Sequence, residues 1–352
     1  MEVEALTSKR WITVLLAVVM CTICGFAGVQ YICDPMLRYG QESWPLTYYE
    51  YAEMYSNPGI ARNYVYDAVM VGTSMIENTN VDQCDELFGV KMVRLPYSGG
   101  TTYNMKTILD VCFSSKNDIK KVYWELDEFQ LFGSATEPRY PLPMYMYQEN
   151  HVDDLKYLLN IDLFYHYTLK DILGTLTGRA QRLERRGITL NGEFGQEAML
   201  RGYARPQKAD AEKQFEQVYK KKVDANLGNI ETLVQSHPET EFIFFMPPFS
   251  VIYWDAELRK GQFDANMDGT IYAIGELLQY ENVSMFFFQN DEEVITNLDN
   301  YKDYSHYGSW INDLVTEKMA DGVGRVTKEN YISVVERMRK FIKNYDFEQY
   351  FQ

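Results

Sequence analysis

The chain has 352 residues, a formal net charge of −16 and a hydrophobic fraction of 46%. This apolar content excludes wholesale disorder, and the strong acidity argues against a nucleic acid partner, because phosphate binding needs clustered Lys and Arg. The length allows one large domain or two smaller ones.

An uncharged segment, Trp11–Cys33, exceeds the ~20 residues that a membrane-spanning helix needs. Lys9 and Arg10 precede it, and basic residues stay on the cytoplasmic side. We therefore expect a cytoplasmic tail (residues 1–10), a single transmembrane anchor and an extracytoplasmic remainder in the cell membrane. The alternative is a signal peptide cleaved after Gly25-Phe26-Ala27, but the apolar stretch continues past that point, which favours an uncleaved anchor.

Beyond a Tyr-rich connector (residues 34–65), apolar runs alternate with amphipathic stretches. The runs that predict buried strands lie at residues 66–71, 91–95, 121–124, 241–246 and 283–288. This rhythm predicts an α/β domain (66–326), with a three-layer parallel sheet flanked by helices as in flavodoxin-like folds. A Pro- and Tyr-rich segment (about 133–205) interrupts the rhythm and predicts a helical insertion. The end (327–352) predicts a final helix with Thr327 as its N-cap.

Two cysteines, Cys84 and Cys112, lie outside the anchor. They could form one disulfide or remain buried thiols, and the sequence leaves this open. We expect no metal and no cofactor, because no His pair has ligand spacing and no Gly-rich loop carries a Lys.

The first candidate for chemistry is Ser74, in the sequence Gly72-Thr73-Ser74 directly after the first predicted strand. Ligands of open α/β sheets bind beyond the carboxyl ends of the strands, so Ser74 is aimed at the expected site. Gly72 permits a tight turn there. As an isolated tripeptide, however, Gly-Thr-Ser is also typical of a turn that caps a helix.

The second candidate is the segment Asp303-Tyr304-Ser305-His306, after the last predicted strand. Of the four histidines, His306 has a carboxylate three residues upstream in this loop. A serine nucleophile needs a base, and the base needs a carboxylate that orients it, so Asp303 and His306 could serve Ser74. A solvated loop histidine beside a capping Asp is the alternative.

Together these motifs resemble the SGNH (GDSL-like) hydrolase superfamily, over most of residues 66–125 and 240–320. The resemblance implies that Ser74 is the nucleophile, His306 the base and Asp303 its orienting group. It also implies that Gly99, within Ser98-Gly99-Gly100, joins the Ser74 N–H in an oxyanion hole. It covers the predicted domain without the central insertion.

The sequence departs from the family's third motif, which carries Asn after the third strand. Asp127 occupies this region, and an ionised Asp cannot donate a hydrogen bond to an oxyanion. Asn104 or Gln130 could supply the missing donor, or the site could be slow, transfer to a special acceptor, or be no longer catalytic. Thr73, Asn104 and Asp127 are the further residues expected to line the site.

The chain looks most like the membrane-anchored, extracytoplasmic branch of this superfamily, which includes teichoic-acid D-alanine transfer proteins and polysaccharide O-acetylation proteins. That branch implies a serine-dependent esterase or O-acyltransferase acting on acetyl or aminoacyl esters of a cell-envelope polysaccharide or teichoic-acid-type polymer. A membrane-bound O-acyltransferase is the implied protein partner. The alternative is a non-catalytic accessory or binding protein for such an acyltransferase, which the missing Asn favours.

Overall fold

The computed structural model of the protein describes residues 2–40, 53–148, 150–178 and 192–351. Its strands are β1 (Ala68–Gly72), β2 (Met92–Pro96), β3 (Lys121–Glu125), β4 (Glu241–Met246), β5 (Val283–Phe287) and β6 (Arg325–Val326). They form one sheet in the order β2-β1-β3-β4-β5-β6. The first five strands pair in parallel and β6 pairs antiparallel with β5. The predicted α/β class is confirmed, but the expectation of a wholly parallel sheet is wrong at β6, whose two residues are too few to produce a periodic pattern.

Helices flank this sheet and also form a separate group. They are α1 (Glu2–Cys33), α2 (Glu53–Asn63), α3 (Val81–Phe88), α4 (Thr102–Ser114), α5 (Glu128–Phe132), α6 (Met144–Tyr147), α7 (His151–Leu158), α8 (Ile161–Leu163), α9 (Leu169–Leu176), α10 (Gln196–Gly202), α11 (Phe215–Val218), α12 (Lys220–Ser236), α13 (Val251–Arg259), α14 (Phe263–Leu277), α15 (Glu292–Thr296), α16 (Ser309–Ala320) and α17 (Tyr331–Lys343). A π-helical turn, Phe164–Thr168, joins α8 to α9.

Burial explains why the strands form where they do. Every residue of β1 and β2 is buried, and β3 and β4 are buried beyond their first residue, as expected for strands covered on both faces. Strands β2 and β3 lie on opposite sides of β1, so the direction of winding reverses between β1 and β3. In open α/β sheets the carboxyl ends of strands at such a reversal frame a ligand crevice. The turn that carries Ser74 follows β1, at that crevice.

The chain divides into two compact units, each built from two separate stretches. Unit 1 comprises Met1–Tyr64 and Leu142–Leu183, and unit 2 comprises Val65–Pro141 and Glu184–Gln352. The central insertion expected at about 133–205 is thus shared between the units, and its residues 149 and 179–191 lie outside the described residues. The same holds for residues 41–52 of the expected connector.

Unit 1 contains the N-terminal apolar helix, α1. Its segment Ser8–Cys33 is long and apolar enough to cross a membrane, and none of its most apolar window is buried by the rest of the protein. Asp34 ends this helix with a φ of 37° and accepts hydrogen bonds from the Arg38 N–H and the Tyr157 hydroxyl, both at 2.8 Å. Nearby, the rings of Phe26 and Phe164 are 4.7 Å apart. Helix α7 and the π-helical turn thus pack on the C-terminal end of α1.

Unit 2 contains the whole sheet and ends in α17, which packs on α14. This final helix begins at Tyr331, so the expectation that Thr327 is its N-cap is wrong. Thr327 instead starts the preceding turn, where its hydroxyl accepts a hydrogen bond from the Glu329 N–H at 3.3 Å. Cys84 and Cys112 are both buried and no disulfide joins them or any other pair among the described residues.

Candidate active site

The turn after β1 is fastened to the end of β3 by Glu125. One carboxyl oxygen of Glu125, Oε2, accepts hydrogen bonds from the Thr73 N–H at 2.7 Å and from the Thr73 hydroxyl at 3.0 Å. Gly72 leaves room for this carboxyl group, because a Cβ at Gly72 would lie 2.7 Å from the Glu125 Cβ. Ser74 comes next and begins a short 3₁₀ helix that ends at Ile76. The position of Ser74 therefore depends on a buried acid that the motif analysis did not single out.

His306 lies in a loop near the end of the sequence and contacts Ser74. Its Nε2 lies 2.8 Å from the Ser74 Oγ, and its Nδ1 lies 2.8 Å from Asp303 Oδ2. The other carboxylate oxygen of Asp303 accepts hydrogen bonds from the backbone N–H groups of Ser305 at 3.0 Å and His306 at 2.8 Å. The structure thus brings Ser74, His306 and Asp303 into one hydrogen-bonded relay.

The loop that carries His306 is tied to the end of β4. The Tyr301 hydroxyl donates to the Pro248 carbonyl at 2.8 Å, and the Ser250 hydroxyl donates to the Tyr304 carbonyl at 2.6 Å. Tyr301 and Tyr307 close the loop as an antiparallel bridge. These contacts hold the loop from Tyr301 to Tyr307 at both ends, so the His306 imidazole is held in place.

The surroundings of Asp303 keep it ionised. Partial burial alone would raise the pKa of this carboxyl group, but hydrogen bonds from the His306 ring and from two backbone N–H groups outweigh burial and lower the pKa to about 2. An ionised Asp303 accepts a hydrogen bond from the His306 Nδ1–H, which leaves Nε2 as the acceptor facing the Ser74 hydroxyl. This is the tautomer that a serine nucleophile requires.

Gly99 lies in the loop after β2, the strand next to β1. The loop is held to the β1 turn by the Tyr97 N–H, which donates to the Gly72 carbonyl at 2.9 Å, and by the Ser98 hydroxyl, which donates to Glu77 at 2.6 Å. Gly99 has a φ of 61°, a left-handed conformation that favours glycine. Its role in an oxyanion hole stays a prediction.

Arg139 lies directly against this glycine. A Cβ at Gly99 would be 2.7 Å from Arg139 Nη1, so the exposed guanidinium group lies over the Gly99 backbone. Arg139 was not predicted as a site residue, because Arg139 lies in the Pro-rich stretch that follows α5 and belongs to no motif. Any group that binds beside Gly99 therefore meets a positive charge.

The residues considered as replacements for the missing Asn have other partners. The Gln130 side-chain amide donates to the Glu125 carbonyl at 2.6 Å, and its oxygen accepts from the Trp124 indole at 2.9 Å. The Asn104 oxygen accepts from the Thr101 N–H at 3.0 Å, in a capping box at the start of α4. Asp127 is buried and caps α5, where it accepts from the Gln130 N–H at 2.9 Å. Asp127 also lies 3.5 Å from the Thr73 hydroxyl.

Glu125, Asp127 and Glu128 form a buried acid cluster beneath the β1 turn. Burial, and then the charge of Asp127, raises the pKa of Glu125 well above its usual range. Burial likewise raises the pKa of Asp127 to about 6 and that of Glu128 to about 8. The Gln289 amide donates a hydrogen bond to Glu128 at 2.7 Å, which opposes the rise in the pKa of Glu128. The raised pKa favours the protonated form of Glu128 at pH 7, and the pKa of Glu125 is shifted in the same direction. The three acids lie within four residues at the end of β3, but the sequence by itself does not show that they are buried.

Among the described residues, no cluster of three or more His, Cys, Asp or Glu side chains could hold a metal ion. What the arrangement offers is a serine hydroxyl, a base that can take its proton, and a carboxylate that holds the base.

The known proteins that were compared with this chain do not assign a role to the site. No family model and no curated protein matches the sequence. Of the solved structures that match, one from Streptococcus pneumonia, described provisionally as a platelet activating factor, is 11% identical. The alignment covers 77% of this chain and 90% of that one, with a TM-score of 0.40. A likeness at this level does not assign the chain to a family.

Proposed function

We propose that the protein is an extracytoplasmic, serine-dependent acyl esterase or O-acyltransferase of the SGNH type. The observation that carries the proposal is the relay from Ser74 Oγ to His306 Nε2 at 2.8 Å and from His306 Nδ1 to Asp303 at 2.8 Å. Ser74 and His306 are 232 residues apart in the sequence and lie in different loops, so no local sequence effect accounts for their meeting. The three-layer arrangement of that superfamily is part of this proposal.

The chemistry follows from the relay. As the Ser74 oxygen attacks an ester carbonyl, His306 Nε2 takes the hydroxyl proton, and Asp303 stabilises the imidazolium that forms. The tetrahedral intermediate collapses when the same proton passes to the departing alcohol, which leaves an acyl group on Ser74. His306 then takes a proton from either water or an acceptor hydroxyl, whose oxygen attacks the acyl carbon. The bond between that carbon and Ser74 Oγ breaks as His306 returns the proton to Ser74. Hydrolysis and transfer share every step up to that choice.

The oxyanion that forms in each half-reaction needs hydrogen-bond donors. We assign this role to the N–H groups of Ser74 and Gly99, with Arg139 adding a positive charge beside Gly99. An exposed guanidinium group stabilises an oxyanion less than a buried amide does, because solvent screens its charge. The arrangement would compensate in part for the family's missing Asn.

The proposed substrate is an acetyl or aminoacyl ester of a cell-envelope polymer. Two arguments support it: the apolar helix α1, which is suited to anchoring the protein in a membrane, and the resemblance of the motifs to the envelope-modifying branch of the superfamily. A polysaccharide or a teichoic-acid-type polymer fits this chemistry equally well. A membrane-bound O-acyltransferase is the protein partner that we propose to supply or receive the acyl group.

A non-catalytic accessory protein is the second candidate. The specific observation in its favour is that Asp127 and Gln130, which follow β3, are both engaged in capping and in supporting Glu125. Loss of one oxyanion donor typically lowers turnover by ~10²–10³. A chain that kept the scaffold but lost the chemistry would retain the relay and fail to react.

The two candidates are separated by labelling the full-length protein, reconstituted in lipid, with a serine-reactive fluorophosphonate. Covalent labelling of the wild type that disappears in Ser74→Ala is the expected result. Ser333→Ala is the matched control, because Ser333 is an exposed serine on α17, and this variant should label as the wild type does. Labelling that survives in Ser74→Ala, or no labelling of a correctly folded wild type, would favour the accessory protein.

A further inference from the structure

A band of apolar side chains faces outward on the helices of unit 1. Between residues 151 and 176 these side chains are 42–79% exposed: Val152, Leu155, Leu159, Ile161, Tyr165, Leu173 and Leu176. The described part of unit 2 is several times longer than this segment. It exposes only one more large apolar side chain than the segment does. The band is therefore a concentrated feature of one short segment and needs an explanation beyond the scatter that soluble surfaces show.

The same helices carry polar side chains on their inner faces. Asp153 and Asp171 are each 2% exposed and Thr168 is fully buried. The Thr168 hydroxyl donates to the side-chain oxygen of Gln30 in α1, at 2.6 Å. The inner faces also bury the apolar residues Tyr157 and Leu163, and Lys156, Asp162 and His166 are exposed beside the apolar band. Exposed apolar side chains next to charged and polar ones are typical of helices that lie at a membrane interface.

The place where this segment meets α1 sets its depth in a membrane. Trp11 and Tyr31 are exposed aromatic residues near the two ends of the apolar part of α1, and aromatic residues favour the two membrane interfaces. Their separation along the helix corresponds to about 30 Å, the thickness of a hydrocarbon core. Phe26, which contacts Phe164 of the insertion, lies five positions before Tyr31 and hence roughly 7–8 Å inside that boundary.

We propose that α7, α8, the π-helical turn and α9 lie in the outer interfacial layer of the membrane, with the apolar band inserted among the lipid acyl chains. The contact with Phe26 sets them at the depth of ~5–10 Å that interfacial helices reach. The occupant of this face is lipid, because α7 and the π-helical turn pack on the C-terminal part of α1, where Val29 and Ile32 are also exposed. The inference rests on the membrane anchor and is independent of the proposed catalytic activity.

The test places a photoreactive benzoylphenylalanine at Leu173 of the full-length protein, reconstituted in nanodiscs of phosphatidylcholine and phosphatidylglycerol. After illumination, mass spectrometry identifies what the probe has captured. Val323 in unit 2 is the matched control, because it is 52% exposed and Leu173 is 53% exposed. Leu15 of α1 is the positive control for lipid contact. Each variant is first shown to retain the wild-type circular dichroism spectrum.

The expected result is a mass increase of one phospholipid at Leu173 and at Leu15, and none at Val323. Lipid capture at Leu15 alone would overturn the proposal while leaving the anchor intact. Capture of a second copy of the chain at Leu173 would overturn it in favour of a protein interface. Equal lipid capture at Leu173 and Val323 would also overturn the proposal, because lipid contact would then not distinguish the band from the rest of the surface. No capture at Leu15 would overturn the anchor as well.

Discussion

Replacing Glu128 by Gln should make the protein less sensitive to alkaline pH. Burial raises the pKa of Glu128 from 4.5 to about 8, so the folded protein keeps this proton at pH values where the unfolded chain has released it. A group whose pKa is raised by folding contributes stability that is present in full below the unfolded pKa. That stability is lost as the pH rises through the folded pKa. Gln is neutral at every pH and matches the size of the protonated acid, so Glu128→Gln removes this loss.

The magnitude follows from the size of the pKa shift. Each pH unit between the unfolded and folded pKa values is worth about 1.4 kcal/mol. Between pH 5 and pH 8, Glu128 should therefore cost the wild type about 3 kcal/mol of its free energy of unfolding. For a chain of this size that corresponds to a difference of about 5 °C in Tm. Glu125 and Asp127 add to the loss in the same direction, because their pKa values are also raised.

The measurement is thermal unfolding of the full-length protein, followed by tryptophan fluorescence at pH 5 and pH 8. Glu128→Gln should match the wild type at pH 5 and exceed its Tm at pH 8. Glu239→Gln, which removes an exposed carboxylate, is the control for net charge and should leave the pH dependence as it is. A Glu128→Gln protein that is destabilised equally at both pH values would show that Glu128 is ionised in the folded state, and the account of the buried acid cluster would be wrong.

Three further predictions concern the site and use the rate of fluorophosphonate labelling. Asp303→Ala should slow labelling by about 10³-fold or more while Ser74→Ala abolishes it, because Asp303 orients the base and does not react; an unchanged rate would remove Asp303 from the relay. Gly72→Ala should slow labelling and cost ~1–3 kcal/mol of stability, since the new Cβ meets Glu125 at 2.7 Å. Gly228→Ala, with open space around its Cβ in α12, is the control and should be neutral or stabilising. Arg139→Ala should slow labelling about tenfold at low salt and less at high salt, because salt screens an exposed charge. A labelling rate that changes neither with the substitution nor with the salt concentration would exclude an electrostatic role for Arg139.

Much of the fold could be predicted because its signals are local. The buried runs that became β1 to β5 are mostly apolar segments, and such local signals need no knowledge of tertiary contacts. Strand β6 was missed because a two-residue strand has no period. The predicted N-cap of the last helix, Thr327, lies three residues before the observed N-cap, Asn330, since a turn held by Asn330 precedes the helix.

The site divides in the same way. Ser74 and His306 could be chosen because each belongs to a short motif whose chemistry needs those residue types in that order. The roles of Glu125 and Glu128 could not be anticipated, because the burial that raises their pKa values is created by distant strands and helices. Arg139 could not be predicted for a related reason. Its proximity to Gly99 results from the path of a Pro-rich segment, which has no periodic pattern.

The interleaving of the two units limits how the protein can be synthesised and shortened. The end of α1 finds its partners, Tyr157 and Thr168, only after the first three strands of the sheet have left the ribosome. A nascent chain therefore carries an incomplete anchor region and an incomplete sheet at the same time, until translation passes residue 183. A secreted form cut after Cys33 would leave Phe164 and the inner face of α7 uncovered, so aggregation during purification is the expected behaviour of such a fragment.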